Sequence, residues 1–292
     1  MDNQLEKDKI VPIIRQALRE DIGIGDITSD ILFSKEDKVS AVIISKQEGV
    51  LAGQEVSELV FDLIDSTVHY KPNMHDKEPL TVGKVVAYID GPVKSILKAE
   101  RLALNFLSRL SGIATYTNQF VKILSNYDVK LRDTRKTTPG LRYLEKYAVR
   151  VGGGVSHRMG LYDGILIKDN HIVAFSKLAR DISKDLITHI ILLTKKKKLK
   201  NTRIEIEVSN LYQLKEALKA GVEIVMLDNM RTEEIEEAVR LRNAEGYKAL
   251  IEVSGRITLE NLERIAKTKP DFISVGAITH SALPIDMSLE VI

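Results

Sequence analysis

The second half of the chain has a rhythm that constrains its fold more than any other feature of the sequence. Short apolar runs alternate, in most cases, with helical patterns such as NLYQLKEALKAG and TLENLERIAKTK. Near-continuous apolar strands that alternate with helices predict a parallel sheet covered by helices. Such repeated units favour a closed or nearly closed β/α barrel, and an open doubly wound sheet is the alternative that the pattern leaves open. The runs begin at Val129, Gly164, Ile204, Ile224, Ala249 and Phe272.

The N-terminal part of the chain carries a different, mixed pattern. Apolar residues have helical spacing from Ile10, and the stretches KVSAVIISKQEGVLAG and VVAYIDGPV are typical of strands. A long helical pattern then runs from Ser95 to Asn126 and predicts one long helix or two helices broken near Gly112. An α/β region therefore precedes the predicted barrel.

Composition excludes several classes of protein. The chain has 43 Lys plus Arg and 41 Asp plus Glu, which gives a formal net charge of +2. This small excess does not indicate the basic surface of a general nucleic-acid-binding protein. The absence of cysteine excludes disulfides, thiolate metal sites and a cysteine nucleophile. The N-terminus lacks the apolar segment of a secretory signal, and no apolar run approaches the roughly 18 residues needed to cross a bilayer. We therefore expect a cytoplasmic protein without a membrane partner.

Chemically useful side chains gather where the predicted strands end, which is where parallel α/β folds bind ligands. The first strand ends supply cations, the middle ones supply carboxylates, and the last ones supply small residues with free backbone N–H groups. Cations suit carboxylate or phosphate groups, carboxylates suit sugar hydroxyls or Mg²⁺, and backbone amides suit phosphate. The candidates are Asp133, Arg135, Lys136, His157, Arg158, Lys168, Glu205, Glu207, Asp228, Ser254, Gly255, Gly276 and Ala277.

This combination predicts a phosphorylated sugar, a divalent ion and a second anionic substrate. Each element also has a simpler interpretation, since adjacent cations are often surface charge and an Asp-Asn pair is often a turn or a helix cap. Lys168, Glu207 and Asp228 are harder to explain in that way. They lie at or inside the ends of buried strands, where an unpaired charge is costly, so their positions favour a functional site.

The motifs closely resemble the quinolinate phosphoribosyltransferase family. The resemblance rests on DTRKTTPGLR, GILIKDNH, IEIEV, VMLDN, VSGRITLENL and ISVGAITHSA, and on the earlier stretches REDIGIGDITSD and AERLALNFLSRLSGIAT. DTRKTTPGLR and GILIKDNH together are specific, because neither is a general barrel motif. The resemblance covers nearly the whole chain in the order that the family has.

The resemblance implies both a fold and a reaction. The fold would be an incomplete β/α barrel over residues 114–277, with an N-terminal α/β sandwich domain over 1–113 that is joined by the C-terminal segment 278–292. The reaction would be that of a glycosyltransferase in de novo NAD biosynthesis. It would convert quinolinate and phosphoribosyl pyrophosphate to nicotinate mononucleotide, pyrophosphate and CO₂, with Mg²⁺ as the cofactor. Family members are dimers or dimer-based oligomers in which a neighbouring subunit closes each site.

Roles for the candidate residues follow from the same resemblance. The quinolinate pocket would be lined by Arg135, His157, Arg158 and Lys168, with Arg101 contributed by the neighbouring subunit.

The phosphoribosyl side would involve the remaining candidates. Lys136 would meet the phosphate-bearing substrate, so that Lys136, Lys168, Glu207 and Asp228 form the catalytic set. Glu207 and Asp228 would lie near the ribose hydroxyls and the metal, which they bind directly or through substrate or water. Loops around the 5′-phosphate would be formed by Ser254, Gly255, Gly276 and Ala277.

Three features depart from the family pattern, and one of them is the stretch HYKPNMHDKEPLTVGK, which is less typical of the family than its flanks. Arg256 stands where the family usually has a second glycine, and a cation there either strengthens phosphate binding or points to solvent. The lysine run Lys195–Lys198 is unusual, and we interpret it as a solvated loop or helix end.

Two other functions remain as alternatives. One is a phosphoribosyltransferase for nicotinate or a related base, although a base with one carboxylate would not need five cationic candidates. The other is a non-catalytic barrel that binds phosphosugars or senses anions, which would need neither Glu207 nor Asp228.

Overall fold

The chain folds into two compact units in this computed structural model, which describes residues 5–178 and 185–292. The first unit combines Met1–Asn118, Lys136–Gly154 and Ala277–Ile292. The second combines Gln119–Arg135 and Val155–Gly276. The chain therefore passes between the units several times. The domain boundaries expected from the sequence, 1–113 with 278–292 and 114–277, stay a prediction.

The first unit is built on an antiparallel sheet. Its strand order is β12-β1-β5-β3, so the last strand of the chain pairs with the first, in a register that sets Ile43 opposite Leu289. A short antiparallel pair, β2 and β4, lies apart from this sheet. The strands are β1 Lys38–Ser45, β2 Gly49–Val50, β3 His69–Pro72, β4 Pro79–Leu80, β5 Val85–Pro92 and β12 Met287–Val291.

The longest helix, α4, runs without a break from Val93 to Leu124. Gly112 lies inside this helix without interrupting it, so one long helix is the correct alternative. A Cβ atom at Gly112 would lie 2.1 Å from the backbone oxygen of Leu283, so glycine at this position makes room for the C-terminal segment. The other helices of this unit are α1 Lys7–Ile22, α2 Ile27–Leu32, α3 Gln54–Ile64, α5 Arg142–Val151 and α11 Ala277–His280.

The second unit is built on a six-stranded parallel sheet whose order is β6-β11-β10-β9-β8-β7. Neighbours in the sheet follow the chain order around a circle, with the circle open between β6 and β7. A doubly wound sheet would instead reverse its strand order at a switch point. The incomplete β/α barrel is therefore confirmed. The strands are β6 Lys130–Arg132, β7 Ile165–Ile167, β8 Ile204–Val208, β9 Ile224–Asp228, β10 Leu250–Ser254 and β11 Phe272–Ser274.

Helices follow the strands of the second unit, as the periodic pattern predicts. The lysine run ends one of them, since Lys195, Lys196 and Lys197 form the last turn of α7, where cations are favoured by the helix dipole. No helix in the described parts of the chain is long and apolar enough to cross a membrane. The helices are α6 Asp169–Leu178, α7 Leu186–Lys197, α8 Leu211–Lys219, α9 Thr232–Ala244 and α10 Leu259–Ala266.

Candidate active site

The end of β6 is tied to its surroundings by backbone hydrogen bonds. Val275 donates to the carbonyl of Arg132 at 3.0 Å, and Val155 donates to that of Leu131 at 2.8 Å. The chain then continues through Asp133, which is fully buried, to Arg135, which is half-buried. The first predicted cation thus follows a strand end that is fixed by backbone hydrogen bonds.

The loop that follows contains Lys136 and belongs to the first unit. The Lys136 side chain is exposed, and its backbone oxygen accepts a hydrogen bond from Thr279 Oγ1 at 2.8 Å. Gly140 has a φ of 82°, a conformation that favours glycine. The TTPG sequence therefore shapes this loop, as its proline and glycine suggest.

A buried carboxylate binds the same loop through hydrogen bonds. Glu145 on α5 is fully buried and accepts from Arg109 Nη2 at 2.8 Å, from the backbone N–H of Thr138 at 3.1 Å and from Thr138 Oγ1 at 2.8 Å. Arg109 also donates to the carbonyl oxygens of Thr279 and Ala282. Because both charges have several partners, the costly burial of this ion pair is compensated.

Two arginines of the second unit lie close enough to influence each other. Burial lowers the pKa of the Arg158 guanidinium, and the nearby positive charge of Arg135 lowers that pKa further. Arg158 Nη1 donates to the backbone oxygen of Gly164 at 2.9 Å, just before β7. The carboxylate of Glu205 acts in the opposite direction and raises the pKa of Arg158, as any anion beside these two guanidinium groups would.

Lys168 and Glu207 form an ion pair at the ends of β7 and β8. The distance from Lys168 Nζ to Glu207 Oε2 is 3.1 Å. The Glu207 side chain is 11% exposed, whereas that of Lys168 is 48% exposed and so lies closer to solvent than the sequence suggests. The pair brings one cation and one carboxylate from the predicted site together.

The ends of β9 and β10 are also joined closely. Asp228 Oδ2 accepts from Asn229 Nδ2 at 2.7 Å, and the backbone N–H of Asn229 donates to the Ser254 carbonyl at 3.0 Å. Gly255 has a φ of 100°, and a Cβ atom there would lie 2.4 Å from Asn229 Oδ1. The backbone at Gly255 therefore requires glycine, and Arg256 follows in a left-handed conformation with a φ of 49°.

The remaining predicted residues lie in the first unit or just after the end of β11. Gly276 follows β11 after one residue, and Ala277 is the first residue of α11. Arg101 is exposed on α4. The roles assigned to these residues stay predictions.

The sequence interpretation missed Glu252, which forms a layer of buried charge inside the second unit together with the predicted residues His157 and Glu205. Glu252 is fully buried in β10, where Arg132 Nη1 and Ser274 Oγ both donate to its carboxylate. Burial raises the pKa of Glu252, and the nearby carboxylate of Glu205 raises it further. The available signal was a glutamate in the middle of the apolar run ALIEVSG, since a charge at such a position must find a partner.

Side chains of the types that bind metals are close together in this layer. Among the described residues, His157, Glu205 and Glu252 offer ligand atoms that all lie within 4.8 Å of one another. Glu207 and Asp228, the predicted metal residues, are not part of that group, and their binding of a metal stays a prediction.

Comparison with known proteins identifies the family. The model of the quinolinate phosphoribosyltransferase N-terminal domain matches residues 26–111, and that of the C-terminal domain matches residues 113–290. A Mycobacterium leprae protein named nicotinate-nucleotide pyrophosphorylase (carboxylating) is 36% identical over 293 residues, covering 99% of this chain and all of that protein. A Bacillus subtilis protein, named as probable for the same activity, is 41% identical and covers 93% of this chain and 90% of its own length.

A solved structure agrees with the sequence comparisons. The nicotinate-nucleotide pyrophosphorylase from Francisella tularensis superposes with a TM-score of 0.89 at 41% identity, over 99% of this chain and 98% of that one. With both domain models matched in order and these relatives aligned over nearly their full lengths, the chain belongs to the quinolinate phosphoribosyltransferase family.

Proposed function

We infer that the chain transfers the phosphoribosyl group of phosphoribosyl pyrophosphate to quinolinate with decarboxylation. The products are nicotinate mononucleotide, pyrophosphate and CO₂, and the reaction belongs to NAD biosynthesis. The observation that carries this inference is the match of both family domains along the chain. The cations and carboxylates at the strand ends of the barrel supply chemistry that suits these substrates.

Quinolinate carries two carboxylates next to a ring nitrogen, which suits the cationic part of the site. The positive charge of Arg135 lowers the pKa of the Arg158 guanidinium, so a dianion bound beside both would relieve their repulsion. Arginine can also bind a carboxylate through two parallel hydrogen bonds. In our proposal these arginines, His157 and Lys168 line the quinolinate pocket.

The phosphoribosyl group would meet the carboxylates and the exposed lysine. Loss of pyrophosphate leaves a cationic, oxocarbenium-like sugar, which Glu207 and Asp228 would stabilise. Lys136 would neutralise the leaving group, and the positive-φ turn at Gly255, with Ser254, Gly276 and Ala277, would surround the 5′-phosphate. Positioning supplies most of the rate, because no protein nucleophile is required.

Decarboxylation follows from the first step. Bond formation at the ring nitrogen makes a pyridinium, and this cation stabilises the electron pair that remains on the adjacent ring carbon when its carboxylate leaves as CO₂. A proton from water then bonds to that carbon and completes nicotinate mononucleotide. The arginines that hold the substrate would orient this carboxylate for its departure.

Mg²⁺ is the cofactor that we propose. Glu207 and Asp228 carry oxygen ligands of the kind that Mg²⁺ prefers, and Mg²⁺ commonly uses one or two carboxylates together with substrate phosphates. When bound, it would neutralise the pyrophosphate charge. Glu207 also contacts Lys168, so this carboxylate would bind the ion through substrate or water.

We further propose a homodimer or dimer-based oligomer that works in the cytoplasm. Arg101 is exposed on the longest helix, which leaves its guanidinium available to a neighbouring subunit. In that arrangement it would add a cation to the quinolinate pocket of its partner.

A turnover assay tests the function directly. The protein is incubated with phosphoribosyl pyrophosphate, Mg²⁺ and either quinolinate or nicotinate, and the release of nicotinate mononucleotide and CO₂ is measured. We expect turnover in the mixture that contains quinolinate and none in the mixture that contains nicotinate. Turnover of nicotinate but not quinolinate would favour the related-base enzyme, and binding of phosphosugar without turnover would favour the non-catalytic barrel.

A further inference from the structure

Thr279 is a buried hydroxyl residue that joins two distant segments of the chain. It lies in α11, and its side chain is fully buried. Its Oγ1 atom donates a hydrogen bond of 2.8 Å to the backbone oxygen of Lys136, 143 residues earlier in the chain. Both residues belong to the first unit. The hydroxyl therefore fixes the backbone that carries the exposed Lys136 side chain.

Arg109 on α4 holds Thr279 in turn. Its Nη2 atom donates to the backbone oxygen of Thr279 at 2.5 Å. The same guanidinium pairs with Glu145, whose carboxylate accepts from the backbone N–H of Thr138 at 3.1 Å. The loop is thus bound at Lys136 by α11 and at Thr138 by α5, and one guanidinium connects the two anchors.

The partner of Thr279 is not the ordinary one for a threonine in a helix. A buried hydroxyl needs a hydrogen-bond acceptor, and a helical threonine can use the carbonyl one turn earlier. Thr279 instead binds a carbonyl of another segment. Because lysine has a long, flexible side chain, a fixed backbone limits the space that the ammonium group of Lys136 can reach. The contact therefore restricts Lys136 as well as satisfying Thr279.

We propose that Thr279 is a positioning residue for phosphoribosyl pyrophosphate: its hydroxyl, supported by Arg109, holds Lys136 where the lysine meets the pyrophosphate of this substrate. This proposal rests on the proposed function, in which Lys136 neutralises the leaving group. Thr279 itself does not contact the substrate, and its effect passes through the backbone of Lys136. A side chain that must meet a ligand in a fixed geometry needs such a supporting contact.

Two substitutions of Thr279 separate the hydroxyl from the shape of the side chain. Thr279→Val keeps the shape and removes the hydroxyl, whereas Thr279→Ser keeps the hydroxyl. We expect Thr279→Val to raise the KM for phosphoribosyl pyrophosphate about fivefold, since one hydrogen bond is lost, and the KM for quinolinate by less than about twofold. Thr279→Ser should remain close to wild type. An equal rise in both KM values, or no rise in either, would overturn the proposal.

A double-mutant cycle tests whether the effect passes through Lys136. Calorimetry measures the binding of phosphoribosyl pyrophosphate, with Mg²⁺, to Thr279→Val, Lys136→Ala and the double variant. We expect Thr279→Val to weaken binding about fivefold in the wild-type background and by less than about twofold when the Lys136 side chain is absent. General loosening of the fold would weaken binding equally in both backgrounds, and that result would contradict the positioning role.

Thr268 provides a matched control. It is also buried, and its Oγ1 atom donates to the backbone oxygen of Ile265 at 2.7 Å, just after α10. Thr268→Val removes the same kind of hydrogen bond from a turn that contains no predicted site residue, so both KM values should stay unchanged. If Thr268→Val raised the KM for phosphoribosyl pyrophosphate as much as Thr279→Val does, the loss of any buried hydrogen bond would explain the effect and the proposal would fail.

Carbonyl NMR tests the hydrogen bond without any substrate. The dipeptide Lys-Thr occurs at Lys136–Thr137 and at Lys267–Thr268, so ¹³C-carbonyl lysine combined with ¹⁵N-threonine gives two signals. Thr268→Val removes the second signal and so assigns both. We expect the Lys136 carbonyl signal to move upfield in Thr279→Val and to return in Thr279→Ser, while the Lys267 signal stays in place.

An unchanged Lys136 carbonyl signal in Thr279→Val would overturn the proposal, whether or not the protein turns over quinolinate. If wild-type protein neither binds nor turns over phosphoribosyl pyrophosphate, the proposed function fails, and the carbonyl signals alone decide whether Thr279 holds the backbone of Lys136.

Discussion

Lys168 Nζ lies 3.1 Å from Glu207 Oε2 and joins the ends of two neighbouring strands. The lysine side chain is 48% exposed, so solvent screens the pair. Exposed ion pairs contribute about 0–1 kcal/mol to the free energy of unfolding. The pair therefore contributes little to the stability of the fold. Its position at the binding edge of the barrel favours a role in catalysis.

The first prediction separates a role of this ion pair in catalysis from a role in stability. Lys168→Ala and Glu207→Ala should each lower kcat/KM by about 100-fold or more, because charges that stabilise the transition state are lost. Their free energies of unfolding should remain within about 1 kcal/mol of wild type. Steady-state kinetics and urea denaturation measure the two effects.

The matched control is another lysine–glutamate pair. Lys267 and Glu263 are 3.1 Å apart and exposed on the surface of the second unit. Lys267→Ala should change neither activity nor stability appreciably. Near-normal kcat/KM in Lys168→Ala or Glu207→Ala would rule out the assigned catalytic roles.

The second prediction concerns the ion pair beneath the TTPG loop. Glu145→Ala should lower the free energy of unfolding by about 3 kcal/mol, because it leaves the largely buried Arg109 without its carboxylate. Activity should also fall, since the loop that Glu145 binds contains Lys136. The control Glu237→Ala removes an exposed partner of Arg240 and should cost less than about 1 kcal/mol. Equal destabilisation by the two variants would contradict this account.

Much of the fold could be predicted because it follows from local periodicity. The apolar runs and the helices between them define a parallel β/α unit, and cations or carboxylates directly after a strand identify its binding edge. The close approach of Leu283 to Gly112, which accounts for a glycine inside a long helix, could not be predicted. Such long-range packing leaves no periodic signal.

The candidate site was predictable only in part, for a similar reason. Lys168 and Glu207 end their strands, so their neighbourhood follows from the sheet. Glu252 lies in the middle of β10, and its importance depends on Arg132 and Ser274 from two other strands. A sequence shows that such a glutamate needs partners without showing which residues they are.

The third prediction concerns Arg256, which has a φ of 49°. Arg256→Gly should raise the free energy of unfolding by about 0.5–1 kcal/mol relative to Arg256→Ala, because glycine adopts this conformation without strain. If the guanidinium binds a phosphate, both variants should raise the KM for phosphoribosyl pyrophosphate by the same factor. Unchanged KM values in both would indicate that the side chain points to solvent.

The fourth prediction concerns the neighbouring Gly255. Gly255→Ala should lower the free energy of unfolding by about 2 kcal/mol or more, since the new methyl group meets Asn229 and the backbone is strained. Gly246 provides the control, because it also has a positive φ of 71° but a Cβ atom there would have no neighbour within 4 Å. Gly246→Ala should therefore cost only the strain, about 1 kcal/mol. Equal losses measured by urea denaturation would show that contact with Asn229 is unimportant.

The last prediction tests whether the active site is shared between subunits. Arg101→Ala and Lys136→Ala should each be nearly inactive, because the first loses a cation supplied to its neighbour and the second loses its own. In a mixed dimer one site would contain both substitutions and the other would contain neither. Denaturing and refolding the two variants together should therefore restore about a quarter of wild-type activity, as statistical mixing of subunits in a two-fold symmetric dimer implies. Native mass spectrometry of differently tagged subunits verifies that they have exchanged. Mixed dimers without activity would show that Arg101 acts within its own subunit.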